Sequence, residues 1–213
     1  MKIEKLDLAF SGKLIPLKKV EKIICHHPAH PTWDINDIHK YHRDGKKWSG
    51  IGYNYFVTFD GRVQEARGRN QGAHTLGGWN EKSLGVSFQG DFSKQNMTDA
   101  QVASGAELIA SLIRNEGLGI NDVVGHKVLW NTACPGRNFR MSDLKAAILA
   151  ELNPSVTKEV KQITKDKSVS TWAVDAQKWV KEQNISDGDR PKDIVTREQL
   201  WTMLYRYAGS PKV

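Results

Sequence analysis

The sequence predicts an α/β domain over residues 1–153, with a mixed central sheet flanked by helices, followed by a small all-α module over 171–213. Two observations carry this prediction. In the first 153 residues, short apolar runs typical of buried strands alternate with stretches of helical periodicity. Residues 154–170 are then rich in Lys, Ser and Thr, with few large apolar side chains. They are typical of a linker, although their Val and Ile residues could support a weak helix.

Four segments of the first domain are expected to include strands. KIICHH at 22–27 is a short apolar run typical of a buried strand. YNYFVTFDGRVQEAR at 53–67 alternates around Asp60-Gly61, a dipeptide that favours a tight hairpin turn. LGVSFQGDF at 84–92 and the pair of valines at 123–124 predict two more strands. Strands that alternate with helices in this way indicate a mixed α/β domain over about residues 1–153.

Three helices are expected between and after these strands. The first covers 34–42 and is capped by Asp34. TDAQ at 98–101 is a capping box that opens a longer apolar stripe. Ser142 is expected to cap a third helix, which Asn153-Pro154 ends because proline cannot continue a helix.

Composition excludes several classes of protein. No apolar run approaches the roughly 18 residues that span a bilayer, and two cysteines make no disulfide framework. The N-terminus mixes acids and bases without a secretory core, so we expect no signal peptide and synthesis in the cytoplasm. The net charge of +7 is spread along the chain without a polybasic tail, which argues against a nucleic-acid partner and allows a mild attraction to polyanionic surfaces.

The segment GHKVLWNTACPG at 125–136 places Cys134 eight residues after His126. This spacing is too long for one helical turn, so either the two residues are unrelated or the loop folds back to bring them together. His26, at the end of the first predicted strand, would complete a His₂Cys set with an open fourth position, as catalytic zinc sites have. Ordinary core or surface roles remain the alternative.

Five motifs in this order resemble the type-2 N-acetylmuramoyl-L-alanine amidases, a family that includes phage endolysins and peptidoglycan recognition proteins. They are HHPA at 26–29, IGYNYFVTFDGRVQEARG at 51–68, GAH at 72–74, SLGVSFQGDF at 83–92 and GHKVLWNTACPG at 125–136. The resemblance covers about residues 22–150. It implies a zinc hydrolase that cleaves the amide bond between the lactyl group of N-acetylmuramic acid and L-alanine in peptidoglycan.

The resemblance also implies the zinc ligands His26, His126 and Cys134. His27 competes for the first position, because neighbouring residues in a strand point to opposite faces. The family pattern of His, any residue, Ser or Thr, and then Ala begins at His26, which favours His26. Pro28 stands where the family has Ser or Thr, so the hydrogen bond of that hydroxyl is absent here.

Further roles are implied for five residues. Tyr53 would orient water or stabilise the oxyanion, and Thr132 would donate to the tetrahedral intermediate. Thr132 carries no charge, so the proton for the leaving group must come from water. His74 would contact substrate, with a structural role as the alternative, and Trp79 and Asn80 are candidate glycan contacts.

Four other polar residues are expected to be structural. His39 and His42, three residues apart on the first helix, should face solvent or cap the core rather than bind metal. Glu65 and Arg67 should form an exposed hairpin pair, with a place in the substrate groove as the alternative.

Residues 172–209 resemble a single surface-layer homology repeat, with two helical patterns around a Gly-containing loop. The resemblance implies binding to secondary cell-wall polymers, with Arg197 as a contact residue. The other interpretation is a helical hairpin docked on the first domain. A module of this size can hardly bury its aromatic residues, so self-association is also expected.

The combined prediction is a phage endolysin, a bacteriolytic and antimicrobial cell-wall hydrolase. It would accumulate in the host cytoplasm and reach the wall after holin-type release by another protein. A host autolysin has the same sequence features. The alternative from a different functional class is a recognition module that binds peptidoglycan without cleaving it. The presence of both implied histidine ligands and of Cys134 argues against that alternative, since binding of peptidoglycan alone needs no thiolate.

Overall fold

The structure is a computed structural model that describes residues 1–154, 169–189, 195 and 197–208. The chain divides into two units, Met1–Leu152 and Asn153–Val213. The strands of the first unit are β1 (Ile3–Lys5), β2 (Lys22–His26), β3 (Tyr55–Val57), β4 (Val63–Glu65), β5 (Ser83–Phe88) and β6 (Val123–Gly125). Its α-helices are α1 (Ile35–Lys40), α2 (Asp99–Glu116) and α3 (Met141–Leu152).

Among the described residues, these six strands form one mixed sheet in the order β1-β4-β3-β5-β2-β6. Neighbouring strands are parallel except for β3 and β4, which form the antiparallel hairpin expected around Asp60-Gly61. Strand β1 is absent from the sequence-based prediction, because its three residues show neither an apolar run nor a flanking turn. It adds an edge to the sheet by pairing with β4.

Helices cover both faces of the sheet, because successive residues of each strand point to opposite sides. In β3, Tyr55 and Val57 belong to the larger apolar core, which includes residues of α2 and α3. Phe56, between them, belongs to a smaller core with Ile35 and Ile38 of α1. The predicted mixed sheet flanked by helices is therefore confirmed.

The strand pairing at the centre of the sheet positions two of the candidate ligand residues. Strand β2 lies between β5 and β6 and is parallel to both. Cys25 is aligned with Gly125, so the residues that follow them, His26 and His126, reach the same edge of the sheet side by side. The order of the strands thus brings together two histidines that are 100 residues apart in the chain.

The predicted helix starts are confirmed at two places and wrong at one. Asp34 caps α1 and Thr98 caps α2, each with a capping box. Helix α3 begins at Met141, so Ser142 lies inside its first turn and does not cap it. The chain after α1 continues through a π-helical turn, Tyr41–Gly45.

The second unit contains helices α4 (Val174–Glu182) and α5 (Arg197–Tyr207). Trp179 of α4 contacts Tyr207 of α5, with ring centroids 5.8 Å apart. Most of the expected linker, residues 155–168, lies outside the described residues, so the division at 153 and 170 stays a prediction. The side chain of Arg197 also lies outside them. Within the described part of the chain, no helix is long and apolar enough to cross a membrane.

Candidate metal centre and adjoining groove

Three side chains from separate parts of the chain converge at the edge of the sheet where β2 and β6 end. One ligand atom each from His26, His126 and Cys134 lies within 4.8 Å of the others. His26 Nδ1 is 3.5 Å from Cys134 Sγ. The rings of His26 and His126 lie with centroids 4.6 Å apart. The structure thus brings together the three residues that the sequence proposed as one ligand set.

The loop between His126 and Cys134 folds back on itself. His126 opens a single 3₁₀ turn, His126–Val128, directly after β6. The backbone N–H of Lys127 then donates to the carbonyl of Cys134 at 2.8 Å, which closes the loop. Gly136 has φ +98°, and a Cβ there would lie 2.5 Å from the Phe92 backbone, so only glycine fits without displacement. These contacts hold the thiol beside His26 at the end of β2.

His27 points away from this cluster. Its Nδ1 accepts the backbone N–H of Phe92 at 3.0 Å, and its ring stacks on the Phe92 ring at 5.9 Å. The alternation of side chains along a strand explains why the two neighbouring histidines separate. Of the two candidates for the first ligand position, the structure places His26 beside Cys134.

The donor set fits a zinc ion. Burial lowers the pKa of His26 and His126, so both rings are neutral and offer lone pairs. The Nε2 atom of His126 is buried without a hydrogen-bond partner among the described residues. Burial raises the pKa of Cys134 to about 12, and a bound cation would reverse this effect by stabilising the thiolate. Two imidazoles and one thiol match the three-ligand sites of catalytic zinc.

Tyr53 and Thr132 lie around the cluster. The Tyr53 ring is 5.2 Å from the His26 ring, and its hydroxyl donates to the His27 carbonyl at 3.4 Å. Burial raises the pKa of Tyr53, so the phenol keeps its proton. Thr132 Oγ1 accepts the backbone N–H of Cys134 at 3.2 Å, which leaves the hydroxyl hydrogen free to donate elsewhere.

A groove with a volume of about 450 Å³ opens beside the cluster. It is lined by Trp48, Ala73, His74, Thr75, Leu76, Asn80, His126 and Trp130. His126 belongs to both the groove and the candidate ligand set, so the candidate metal centre faces the groove. Trp48 and Trp130 could not be predicted as groove residues from sequence, since an aromatic residue near a motif is more often part of the core.

Two of the three predicted substrate contacts line the groove. His74 and Asn80 line the groove, whereas Trp79 is not part of that lining and lies under the Lys82 ammonium, 4.4 Å from the ring centroid. The side-chain oxygen of Asn80 accepts the backbone N–H groups of His74 and Thr75 at 2.8 and 3.1 Å. Asn80 therefore fixes the loop that carries His74.

Arg67 is buried, so the expectation of an exposed hairpin pair is wrong for this residue. Its Nε donates to the Ile51 carbonyl at 2.6 Å. The Nδ1 atoms of His39 and His42 accept the backbone N–H groups of Ile51 and Gly52 at 3.3 and 3.0 Å. Both histidines are structural, as expected. Together with Arg67 they fix residues 51–52, which lead directly into Tyr53 beside the cluster.

Comparison with known proteins places the chain in a family. The Amidase_2 family model, described as N-acetylmuramoyl-L-alanine amidase, matches residues 16–137. Peptidoglycan-recognition protein SC2 of Drosophila melanogaster is 35% identical over 117 residues, which cover 54% of this chain and 63% of that protein. The N-acetylmuramoyl-L-alanine amidase of Homo sapiens is 35% identical over 127 residues, which cover 54% of this chain and 22% of that protein. The chain therefore spans less than two thirds of these relatives.

Solved structures show the same fold. An N-acetylmuramoyl-L-alanine amidase from Clostridium intestinale superposes with a TM-score of 0.65 at 26% identity, covering 70% of this chain and 98% of that one. The ectodomain complex of peptidoglycan recognition proteins LCa and LCx, solved with bound tracheal cytotoxin, gives a TM-score of 0.58 at 29% identity over 65% of this chain and 92% of that one. Because the family model matches more than half of its residues, the chain belongs to the N-acetylmuramoyl-L-alanine amidase family.

Proposed function

We propose that this chain is a zinc-dependent amidase that hydrolyses the bond between the lactyl group of N-acetylmuramic acid and L-alanine in peptidoglycan. The observation that carries the proposal is the convergence of His26, His126 and Cys134 within 4.8 Å in a member of the amidase family. Bound by these three residues, zinc would supply Lewis-acid polarisation of the scissile carbonyl and an activated water.

The surrounding residues supply hydrogen bonds to the reacting groups. The Tyr53 phenol is neutral, so its O–H, which donates to the His27 carbonyl at 3.4 Å without substrate, can turn to the substrate carbonyl oxygen as negative charge develops there. The Thr132 hydroxyl, held through the backbone of Cys134, can donate in the same way. Neither side chain is a cation, so the leaving amine takes its proton from water.

The groove gives the substrate a place to bind. Its volume of about 450 Å³ lies within the range usual for ligand sites, and its walls combine aromatic rings with a few polar groups. A related complex of recognition proteins holds tracheal cytotoxin. We assign substrate contact to His74 and to the exposed rings of Trp48 and Trp130, with Asn80 holding the loop that carries His74.

We also propose the wider role of a phage endolysin with a wall-binding second unit. The support is the similarity to an endolysin amidase from Clostridium intestinale, with a TM-score of 0.64 at 26% identity. The second unit exposes large aromatic residues, including Trp172 and Trp201, that a polymer or a second copy could cover. Arg197 on α5 is the proposed contact to secondary cell-wall polymers, and release from the host cytoplasm would precede lysis.

The alternative function is recognition of peptidoglycan without cleavage, which the similarity to recognition proteins favours. Purified cell walls, incubated with the protein with and without a zinc chelator, separate the two functions. For an amidase, chelation should stop the loss of wall turbidity while the protein still sediments with the walls. Binding without any loss of turbidity, in zinc-loaded protein, would support recognition alone.

A further inference from the structure

His74 contacts His26 on the side of the ring that faces away from the thiol. The Nε2 atom of His26 lies 3.0 Å from Nδ1 of His74, whereas Nδ1 of His26 lies 3.5 Å from Cys134 Sγ. The two rings meet edge to face, with centroids 4.9 Å apart and an interplanar angle of 74°. Only 1% of His26 and 7% of His74 is exposed, so water does not compete for this hydrogen bond.

This hydrogen bond has a direction that depends on metal binding. A neutral imidazole carries one proton, and a nitrogen that binds a metal must offer its lone pair. If Nδ1 of His26 is the ligand atom, the proton is on Nε2 and donates to Nδ1 of His74. The opposite direction would leave the proton of neutral His26 on Nδ1, where it would block the metal. His74 must then carry its own proton on Nε2.

The fold fixes the His74 ring in the orientation that this hydrogen bond needs. A Cβ added at Gly85 would lie 2.6 Å from His74 Cδ2, and one added at Gly72 would lie 2.2 Å from the same atom. Gly85 is in the interior of β5, where a side chain would ordinarily pack. The side-chain oxygen of Asn80 accepts the His74 backbone N–H at 2.8 Å. The absence of two side chains thus clears a space that the ring occupies.

We propose that His74 is a positioning residue that selects the Nε2-protonated tautomer of His26 and thereby prepares His26 Nδ1 to bind the metal. This inference rests on the proposed zinc site. It is separate from the substrate contact proposed for His74, because it acts through His26 and requires no substrate. Partners of this kind usually raise metal affinity by fixing the ligand ring and its proton.

Two substitutions in the full chain test the proposal. His74→Leu approximates the volume of the ring but removes the acceptor, and His74→Asn keeps an acceptor near the position of Nδ1. Zinc affinity, measured by competition with a chelator, should fall roughly 10- to 100-fold in His74→Leu and stay much closer to the parent in His74→Asn. His39→Leu, which removes another buried histidine acceptor away from the cluster, is the matched control and should keep its zinc affinity.

Nitrogen NMR of the histidine rings in the zinc-loaded protein provides a readout that a purely structural role would not change. The parent should show His26 protonated at Nε2 with slow exchange, and His74→Leu should lose that protection. Should His74→Leu fail to fold, Gly85→Ala displaces the ring and should lower zinc affinity in the same direction. Equal zinc affinity in the parent and in the folded variant, or a proton on Nδ1 of zinc-loaded His26, would overturn the proposal.

The outcomes also separate this proposal from the proposed function. A zinc-loaded, active parent whose affinity does not respond to either substitution rejects only the positioning role. A parent that binds zinc with the expected tautomer but releases no product from peptidoglycan supports the positioning role and rejects the amidase.

Discussion

Cys134 is the proposed ligand whose chemistry should change most when a metal binds. Partial burial raises the pKa of its thiol to about 12, so the metal-free protein holds it protonated at neutral pH. Zinc binds the thiolate, so binding at pH 7 should release about one proton. Zinc titrations in two buffers of different protonation enthalpy measure this release. Cys134→Ser should lose most of the zinc affinity and the proton release, whereas His27→Ala should keep both. Full zinc affinity in Cys134→Ser would contradict the ligand set.

Substitutions at Tyr53 and Thr132 separate zinc binding from catalysis. Tyr53→Phe and Thr132→Ala each remove a hydroxyl donor and leave all three proposed ligands in place. We expect both variants to retain zinc and to turn over roughly 100-fold more slowly, the usual effect of losing one oxyanion donor. Thr132→Ser keeps the hydroxyl and should remain close to the parent. Steady-state rates on a soluble muropeptide measure these effects, and parental rates in the first two variants would remove both residues from the mechanism.

Sequence reasoning proposed the ligand set because each member stands inside a motif of recognisable spacing. The contact between His74 and His26 could not be proposed in the same way. It depends on the position of β5 beside β2 and on the two glycines that clear space for the ring. Arg67 was misjudged for a related reason. A charged residue in a hairpin is usually solvated, and only the fold shows the carbonyl that accepts its hydrogen bond.

Among the helices and strands, the shortest ones were the hardest to predict from the sequence. The capping boxes of α1 and α2 follow from local chemistry and were predicted at the correct residues. Strand β1 has only three residues and is held by its pairing with β4, so nothing local specified it. The start of α3 was predicted two residues too late, because Ser142 resembles a cap whereas the helix begins at Met141.

His42, which lies in the π-helical turn after α1, should make the stability of the folded protein depend on pH. Its Nδ1 accepts the Gly52 N–H, and burial lowers the His42 pKa from 6.5 to about 4. Between pH 4 and pH 6.5, His42 binds a proton in the unfolded chain but stays neutral in the folded protein. The contribution of His42 is therefore complete above pH 6.5 and is lost as the pH falls towards 4.

His42→Asn should retain an acceptor for Gly52 and remove this titration. Thermal unfolding midpoints of the parent and the variant should differ by a constant amount above pH 6.5, and the parent should lose more stability below it. The other histidines are common to both proteins and cancel in the comparison. Parallel curves down to pH 4 would show that His42 does not titrate on unfolding.

The division of the protein into two units leads to a prediction about the second one. All proposed ligands lie in Met1–Leu152, so residues 1–153 alone should cleave soluble muropeptides at the full-length rate. Against intact walls the fragment should be weaker, because tethering raises the local concentration of enzyme. The full-length protein should also self-associate more, since Trp172 is 86% exposed and Trp201 is 61% exposed.

Wall pull-down and light scattering on the fragment and the full-length protein test these two roles together. Equal wall binding and lysis by both proteins, with both monomeric, would show that the second unit neither anchors the enzyme nor joins its copies.

The end groups released from purified cell walls by the full-length, zinc-loaded protein test the proposed reaction most directly. Hydrolysis of the lactyl–alanine amide creates one new alanine amino terminus per bond and leaves the glycan chain intact. We therefore expect N-terminal alanine to rise with digestion while reducing sugar stays at its starting level. A rise in reducing ends without new alanine amino termini would mean that the protein cleaves a glycosidic bond, and it would contradict the amidase assignment.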